Sequence, residues 1–217
     1  MTALFIGVYG ASGFGKEVMP LVRQQYPALA KERFVFIDDG QSGSALNSYP
    51  VLSYDQFLSN PAQHKAVTIA IANSQVREKL AARLTQDNIQ HLVIQASNTV
   101  ILDEVEIGEG SLLCPFTCLT SNIKIGKFFH ANIYSYIAHD CVIGDYVTFA
   151  PGVKCNGNIH IQDHAYIGTG AVIKQGTPDK PLVIGKGAII GMGAVVTKSV
   201  PAGVTVVGNP ARILEKK

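Results

Sequence analysis

A histidine followed directly by an acid lies in the segment YIAHDCVIGDYVTFAPG, Tyr136 to Gly152. A free imidazole has a pKa near 6.5, so at pH 7 it is mostly neutral and can accept a proton. A neighbouring carboxylate can hold such a ring and favour its protonated form. His139 and Asp140 therefore have the residue types of a general base and its partner. A lone histidine at a turn is more often a solvated surface residue, so the surrounding elements must decide between the two readings.

The segment around His139 belongs to an internal repeat of six residues. The repeated positions are apolar without exception: Ile101, Ile107, Leu113, Leu119, Ile125, Ala131, Ile137, Ile143, Phe149, Cys155, Ile161, Ile167 and Ile173. A period of six fits neither an α-helix, which repeats at 3.6, nor an alternating strand, which repeats at two. It is typical of a triangular parallel β-solenoid, in which each side is one hexad and each coil is three.

In such a solenoid, residues 18 positions apart lie on neighbouring coils, so Gly157 is expected beside His139. The repeat breaks in QGTPDKPLV, where about five extra residues precede its resumption at Ile184. We expect these residues to form a loop on the edge that carries His139. A histidine–acid pair, a glycine that leaves room and a projecting loop together favour a cleft at this edge.

Residues 1–95 have a different pattern, in which strand and helix signals alternate. The predicted strands are the apolar runs LFIGVY, RFVFIDD, AVTIAIA and HLVIQ. The segments KEVMPLVRQQY and SQVREKLAARLTQ have apolar residues at helical spacing, and Ser74 is the predicted N-cap of the second helix. The predicted fold class is α/β plus β-solenoid, with a small Rossmann-like parallel α/β domain over residues 1–95 and a parallel β-helix of hexapeptide repeats over residues 96–217.

A glycine-rich turn, GASGFG, connects the first predicted strand to the first helix. Gly10, Gly13 and Gly15 are followed about twenty residues later by Asp38, which ends the next strand. This spacing matches a dinucleotide-binding fingerprint. We reject NAD as the ligand because about 95 residues provide only half of a doubly wound sheet. The backbone N–H groups at the start of the helix can hold the phosphate of another nucleotide.

Composition and charge exclude several other classes of protein. The formal net charge of +2 is too small to predict nucleic acid or an anionic membrane as a partner, and no apolar run approaches the ~20 residues of a membrane span. The N-terminus reads as a buried strand rather than a signal peptide, so we predict a cytoplasmic protein with reduced cysteines. The four cysteines lack the paired spacing of a zinc site, and we predict no metal. The histidines His130, His160 and His164 are expected to be solvated.

Three segments carry a resemblance to a known family: YGASGFGKEV, HDCVIGDYVTFAPG and VGNPARI. Together with the hexads, they resemble the bacterial sugar O- and N-acyltransferases that have a left-handed β-helix. In particular, the chain is similar to acetyltransferases of nucleotide-linked 4-amino-6-deoxy sugars, a group with bacillosamine, perosamine and sialic-acid acetyltransferase relatives. The resemblance covers essentially the whole chain.

The resemblance implies a chemical role for the histidine–acid pair. In that family the histidine that matches His139 is the catalytic base, and the acid that matches Asp140 raises its basicity. The sugar amine attacks the thioester of acetyl-CoA directly, so a Ser or Cys nucleophile is not required. Cys141 is adjacent, but its position in the hexad points it inward, and covalent catalysis by it is not expected.

The resemblance also implies two binding sites. Acetyl-CoA is expected to lie along the solenoid between two subunits of a homotrimer, in contact with Asn132, Thr148, Gly157, Thr169 and Met192. Thr148 departs from relatives that have a histidine there, and a plain turn glycine is an equal alternative for Gly157. Arg212 is left open between a contact to a CoA phosphate and a cap of the solenoid end. The nucleotide of the sugar is expected in the first domain, at Ser12, Gly13, Phe14, Asp38, Asp39, Ala72 and Asn73.

The predicted function is acetyl-CoA-dependent N-acetylation of the C4 amine of a nucleotide-linked 4-amino-6-deoxy sugar, for surface glycan biosynthesis. UDP is the favoured nucleotide, and dTDP and GDP stay open because two adjacent acids can serve several bases. Two alternatives remain. One is an O-acetyltransferase that acts on a sugar hydroxyl with the same histidine. The other is a non-catalytic solenoid that binds a nucleotide sugar, whose function would survive the loss of His139.

Overall fold

The computed structural model describes residues 4–215, and the chain forms two compact units, the first ending at Ile94 and the second beginning at Gln95. The strands of the first unit are β1 (Leu4–Tyr9), β2 (Phe34–Ile37), β3 (Ala45–Leu46), β4 (Tyr49–Leu52), β5 (His64–Ile69) and β6 (Gln90–His91). Its helices are α1 (Gly13–Gln25), α2 (Tyr54–Leu58) and α3 (Ser74–Gln86), with a 3₁₀ turn at Lys31–Arg33. None of the helices that the structure describes has the length and apolar content to cross a bilayer.

The sheet of the first unit has the order β3-β4-β2-β1-β5-β6 and is parallel except for the β3–β4 hairpin. Its three central strands and its two long helices match the sequence prediction. α1 buries Val18, Leu21 and Val22, which are the apolar residues that predicted it. The predicted N-cap of α3 is wrong by one residue: the cap is Asn73, whose Oδ1 accepts a hydrogen bond from the backbone N–H of Val76 at 3.0 Å.

Short elements account for the differences from the sequence prediction. The β3–β4 hairpin and α2 were not predicted, and HLVIQ contributes to two separate two-residue strands, β6 and Ile94–Gln95, rather than to one. Asn47 and Ser48 turn the hairpin with φ angles of 48° and 64°. A two-residue strand outside a repeat is too short to show a hydrophobic period, so tertiary pairing alone defines β3 and β6.

The second unit is a left-handed parallel β-helix with one sheet on each side of its triangular coil. The first side contains Ile94–Gln95, Leu112–Leu113, His130–Ala131, Thr148–Phe149, Tyr166–Ile167, Ile189–Ile190 and Thr205–Val207, with Arg212–Ile213 added antiparallel at its end. The second side contains Val100–Ile101, Cys118–Leu119, Tyr136–Ile137, Lys154–Cys155, Val172–Ile173 and Val195–Val196. The third side contains Val105–Ile107, Ile123–Ile125, Val142–Ile143, Ile159–Ile161 and Leu182–Ile184.

Strand register and burial confirm the hexad prediction. Ile137 pairs with Cys155, a spacing of 18 residues. The repeated apolar residues from Leu113 to Ile173 are at most 5% exposed and belong to one continuous core. Ile161 pairs with Ile184, a spacing of 23 residues, so this coil contains the five extra residues that the sequence indicated.

Most corners of the coil repeat one backbone feature, a positive φ three positions after the buried residue of the hexad. At the corner that follows the second side, the residues with this conformation are Glu104, Asn122, Asp140 and Asn158, with φ between 55° and 59°. Asn and Asp tolerate the left-handed region better than most residues. Asp140 therefore suits the backbone of the corner as well as the chemistry of the histidine beside it.

The histidines of the solenoid differ in exposure. His160 is exposed, as predicted. The same prediction is wrong for His130, which is 1% exposed. It lies on the first side, where it pairs with Leu112 of one neighbouring coil and Thr148 of the other. His164 is half-buried, and its ring stacks on Tyr146 with 5.3 Å between the ring centroids. Neighbours in three dimensions, rather than position in the hexad, set this difference.

Candidate active site

The candidate base lies at the corner that follows the second side of the solenoid. His139 Nδ1 is 2.7 Å from Asp140 Oδ2, and both side chains are about half exposed, at 49% and 46%. The second carboxylate oxygen, Oδ1, accepts a hydrogen bond from Asn122 Nδ2 at 3.2 Å. The predicted pair is therefore in contact, and a third residue from the preceding coil holds the carboxylate.

The charge of Asp140 determines how the imidazole is protonated. The hydrogen bond from His139 lowers the pKa of the Asp140 carboxyl below its ordinary value, and the amide of Asn122 lowers it further. An ionised carboxylate can only accept hydrogen bonds, so Nδ1 must carry the proton in this contact. In the neutral ring, Nε2 then holds the lone pair and is the atom that can accept a proton.

Gly157 creates the space that the imidazole occupies. A Cβ atom at position 157 would lie 2.6 Å from both Cε1 and Nε2 of His139, which is closer than non-bonded carbon and nitrogen atoms approach. Gly157 is itself buried, one coil from His139. The resemblance implied that Gly157 lines the path of acetyl-CoA, and that role stays a prediction. The structure adds a steric reason for glycine at this position.

Asn122 is the residue of this site that the sequence analysis missed. The sequence feature that indicates it is its spacing, because Asn122 precedes Asp140 by 18 residues, which is one coil. In the structure both residues adopt the same left-handed φ. An asparagine at a solenoid corner has an ordinary conformational explanation, so its type alone indicated no function. Its contact with Asp140 makes it a positioning residue for the acid.

Replacing Asn122 by alanine is expected to lower kcat by about three- to tenfold with little change in KM, since about 1 kcal/mol of hydrogen bonding to Asp140 is lost. Steady-state kinetics of the purified variant measure this. In an Asp140→Asn background the same change should have a much smaller effect, because the two residues act on one contact. Independent, multiplicative effects in the double variant would contradict a positioning role for Asn122.

Cys141 points into the solenoid, as its hexad position predicted. Its side chain is buried, and its Sγ donates a hydrogen bond to the carbonyl oxygen of Asn156 at 3.2 Å. A hydrogen bond with the neighbouring Cys141 thiol, together with burial, raises the pKa of Cys155. Neither cysteine faces the surface on which His139 lies, so neither is placed to form a covalent intermediate.

The residues implied for acetyl-CoA lie at different places on the coil. Asn132, Thr169 and Met192 each follow a strand of the first side and share one corner, where Met192 is 82% exposed. Thr148 lies within a strand of the first side and is 5% exposed. His139 and Gly157 share the next corner. A full side of the triangle, six residues or about 20 Å of extended chain, lies between the two corners, so the two groups occupy different corners of one chain.

A cavity of about 280 Å³ lies near the last coil of the solenoid. It is lined by Thr197, Lys198, Ser199, Pro201, Arg212 and Ile213, among others. Lys198 and Arg212 bring two cations to this cavity, and such cations can hold phosphate groups. Arg212 was a candidate from the sequence, whereas Lys198 was not, because a lone exposed lysine carries no sequence signal of its own.

In the first unit, the glycine-rich turn leads directly into the N-terminus of α1. Ser12 is the N-cap but makes no side-chain capping bond, and the first turn of the helix contains no acid. A Cβ at Gly13 would meet nothing within 4 Å, whereas one at Gly15 would collide with the carbonyl oxygen of Gly10. Gly15 therefore permits close packing of helix and strand, and the space beside Gly13 at the helix N-terminus suits a phosphate.

The two predicted acids organise the loops beside this helix start. Asp38 Oδ2 accepts a hydrogen bond from the backbone N–H of Ala11 at 3.2 Å, and Asp39 Oδ1 accepts one from that of Tyr54 at 2.8 Å. The Tyr9 hydroxyl is 3.4 Å from Asp39 Oδ2, and burial together with this acid raises the pKa of Tyr9 to about 12. The structure thus brings Asp38 to the glycine-rich turn, as the sequence predicted.

The end of β5 completes this edge of the sheet. Asn73 caps α3, and the carbonyl oxygen of Ala72 accepts a hydrogen bond from Arg77 Nη1 at 3.1 Å. Arg77 also donates to the carbonyl of Ile71 at 2.8 Å and is fully buried. This arginine rigidifies the turn that carries Ala72 and Asn73, and the sequence analysis did not find it. Across residues 4–215, no group of three or more His, Cys, Asp or Glu side chains is arranged to hold a metal ion.

Each unit matches a known family. Residues 6–84 match the PglD N-terminal domain. Residues 122–157, which include His139 and Asp140, match the bacterial transferase hexapeptide family with its six repeats. The two matches agree with the division of the chain into an α/β unit and a solenoid.

A relative that spans both units decides the family. GDP-perosamine N-acetyltransferase from Escherichia coli O157:H7 is 50% identical over 212 residues, which are 97% of this chain and 96% of the relative. The chain belongs to this family of sugar N-acetyltransferases. It is therefore an acyltransferase, and its α/β unit and left-handed β-helix are the two domains of the family fold.

Solved structures of similar proteins have the same fold. WeeI from Acinetobacter baumannii AYE is 84% identical with a TM-score of 0.97, and the match covers 97% of this chain and 100% of that one. The acetyltransferase domain of PglB from Neisseria gonorrhoeae FA1090, solved in complex with acetyl coenzyme A, is 27% identical with a TM-score of 0.84. That match covers 99% of this chain and 100% of the PglB domain.

Proposed function

We propose that the protein transfers the acetyl group of acetyl-CoA to the C4 amine of a GDP-linked 4-amino-6-deoxy sugar, with His139 as general base. The observation that carries this proposal is the contact between His139 Nδ1 and Asp140, which leaves Nε2 as the proton acceptor above Gly157. The product would supply surface glycan assembly. The free cysteines suit a reducing compartment, and we place the reaction in the cytoplasm.

The proposed reaction is one direct acyl transfer. The amine nitrogen bonds to the thioester carbonyl carbon while His139 Nε2 takes a proton from that nitrogen. The carbon–sulfur bond then breaks, and CoA leaves as a thiolate that takes the proton back from the imidazolium, so the ring is regenerated. The ionised Asp140 stabilises the positive charge on the ring between these two steps. No covalent enzyme intermediate is needed, in agreement with the inward orientation of Cys141.

The relative from Escherichia coli supports GDP as the nucleotide, because it is named for GDP-perosamine and is 50% identical over nearly the whole chain. UDP, the nucleotide favoured on the sequence alone, has no comparable support and becomes the main competitor. We propose that the sugar-linked diphosphate contacts the N-terminus of α1 at Ser12, Gly13 and Phe14. Asp38, Asp39, Ala72 and Asn73 lie around this edge and would contact the base or the ribose.

We propose that acetyl-CoA binds between two chains of a homotrimer. Its predicted residues Asn132, Thr169 and Met192 share one corner of the coil, and His139 lies at the next corner. A donor held at the first corner of one chain is therefore expected to meet His139 of a neighbouring chain. The exposed Met192 suits a contact that forms only in the assembly. Lys198 and Arg212, at the cavity near the last coil, would hold the phosphates of CoA.

The test follows the release of free CoA with a thiol reagent. Acetyl-CoA is supplied with GDP-, UDP- and dTDP-linked 4-amino-6-deoxy sugars and with matched sugars that have a hydroxyl in place of the amine. Turnover with the GDP-linked amine alone is the expected result. Turnover with the UDP-linked amine would overturn the choice of nucleotide, and turnover only with hydroxyl sugars would make the protein an O-acetyltransferase. Tight binding of a nucleotide sugar without any turnover would overturn the enzymatic proposal.

A further inference from the structure

A cleft with three basic residues lies beside α1, away from the proposed donor site. Its first lobe, about 250 Å³, is lined by Lys16, Met19, Pro20, Arg23, Lys31, Asn47 and Tyr49. Its second lobe, about 340 Å³, is lined by Pro20, Arg23, Gln24, Pro27, Leu29, Lys31 and Phe34. Pro20, Arg23 and Lys31 line both lobes, so the two form one continuous feature. We call it the basic cleft.

Two of the three cations of the basic cleft lie over a buried aromatic ring. Lys31 Nζ is 5.1 Å and Arg23 Cζ is 5.9 Å from the centroid of the Tyr49 ring, which is 4% exposed. Cation–π contact accounts for part of this arrangement. It does not neutralise the positive charges, which repel each other across the cleft.

No acid balances these charges within the part of the chain that the structure describes. Neither lobe is lined by Asp or Glu, and the side chains of Lys16, Arg23 and Lys31 make no ion pair with any described residue. Glu17 and Glu32 are neighbours in sequence but do not line the cleft. Three cations in one concave site without a carboxylate partner favour an anion from outside the chain.

Most of the basic cleft lies away from the proposed nucleotide-sugar site, and Lys16, in the first turn of α1, is the lining residue nearest to that site. α1 runs back from the carboxyl edge of the sheet, where the glycine-rich turn and Asp38 lie, towards the opposite edge. Arg23 is seven residues beyond Lys16, or about 10 Å along the helix. Tyr49 begins β4, which is parallel to β2, so it lies near the amino edge of the sheet. The part of the cleft that contains Arg23 and Tyr49 therefore lies away from the glycine-rich turn, and a ligand bound there would approach the domain from the other side.

We propose that the basic cleft is a second binding site, for a phosphate ester. The phosphate group would lie between Lys16, Arg23 and Lys31, where Arg can bind two oxygens at once and Lys supplies point charges. The apolar or planar substituent would occupy the second lobe against Pro27, Leu29 and Phe34. Either a soluble nucleotide or a phospholipid headgroup has this chemistry.

The test is calorimetric titration with inorganic pyrophosphate and with GMP, together with sedimentation of the protein with vesicles of phosphatidylcholine with or without phosphatidic acid. Two charge-removing variants, Lys31→Gln and Arg23→Gln, are compared with Lys79→Gln, which removes one exposed lysine from α3. The component of binding that is lost in both cleft variants and kept in the control belongs to the cleft. Circular dichroism checks that all three variants are folded.

We expect each cleft variant to weaken that component at least tenfold and Lys79→Gln to change it less than twofold. GMP that binds the cleft more tightly than pyrophosphate supports a soluble nucleotide, and sedimentation that requires phosphatidic acid and Lys31 supports a lipid headgroup. Equal weakening of binding in all three variants would overturn the proposal, and so would a failure to bind both GMP and phosphatidic acid. The acetyl-transfer assay is independent of this result, because Lys31→Gln is expected to retain the turnover of the unaltered enzyme.

Discussion

Replacing His139 by alanine is expected to lower kcat/KM for the amino sugar by about 10²–10⁴-fold, the usual contribution of a general base. The physical reason is that Nε2 is the one atom of the histidine–acid pair with a lone pair available to the attacking amine, because Asp140 fixes the proton on Nδ1. The imidazole is half exposed at a corner, so its removal leaves no buried cavity and the melting temperature should hardly change.

The measurement is CoA release at pH 7 with saturating acetyl-CoA and varied amino sugar. His160→Ala is the matched control, because His160 is also an exposed histidine of the solenoid and lies on the third side. It should retain activity within about twofold, as is usual for surface substitutions away from the site. Full activity of the His139→Ala enzyme would show that another group accepts the proton.

Replacing Gly157 by alanine is expected to abolish most activity without unfolding the protein. The new Cβ would lie 2.6 Å from Cε1 and Nε2 of the imidazole, and the three atoms nearest to it all belong to that ring. The half-exposed ring can swing out towards solvent to relieve the collision, which preserves the fold but removes Nε2 from its position above the coil. We expect a loss of about 100-fold in kcat, comparable to that from weakening a general base.

A double variant separates this mechanism from a general disturbance of the coil. In a His139→Ala background the ring is absent, so Gly157→Ala should cause little further loss of activity or stability. Thermal denaturation and steady-state kinetics of the two single variants and the double variant complete the cycle. A large further loss in the double variant would mean that Gly157 acts on acetyl-CoA or on the backbone rather than through His139.

The hexad pattern by itself predicts most of the solenoid. A strict six-residue period is buried in full by a triangular coil of three hexads. The coil length, the inward direction of Cys141 and the position of Gly157 beside His139 all follow from that period. The extra residues near Thr177 were found in the same way, because they interrupt an otherwise regular register. The helices α1 and α3 followed from their 3.6-residue period.

Only the tertiary structure decided the contacts made by side-chain ends and the shortest elements. The hydrogen bond from Asn122 to Asp140 depends on the rise between coils and on two left-handed residues, neither of which is visible in residue types. The burial of His130 depends on neighbours outside its own hexad. The β3 strand of the hairpin has two residues, too few to carry a period, and the basic cleft joins residues of a helix, a 3₁₀ turn and a strand. The spacing of a repeat determines which of its residues become neighbours. Contacts between segments that share no repeat are determined only by the tertiary structure.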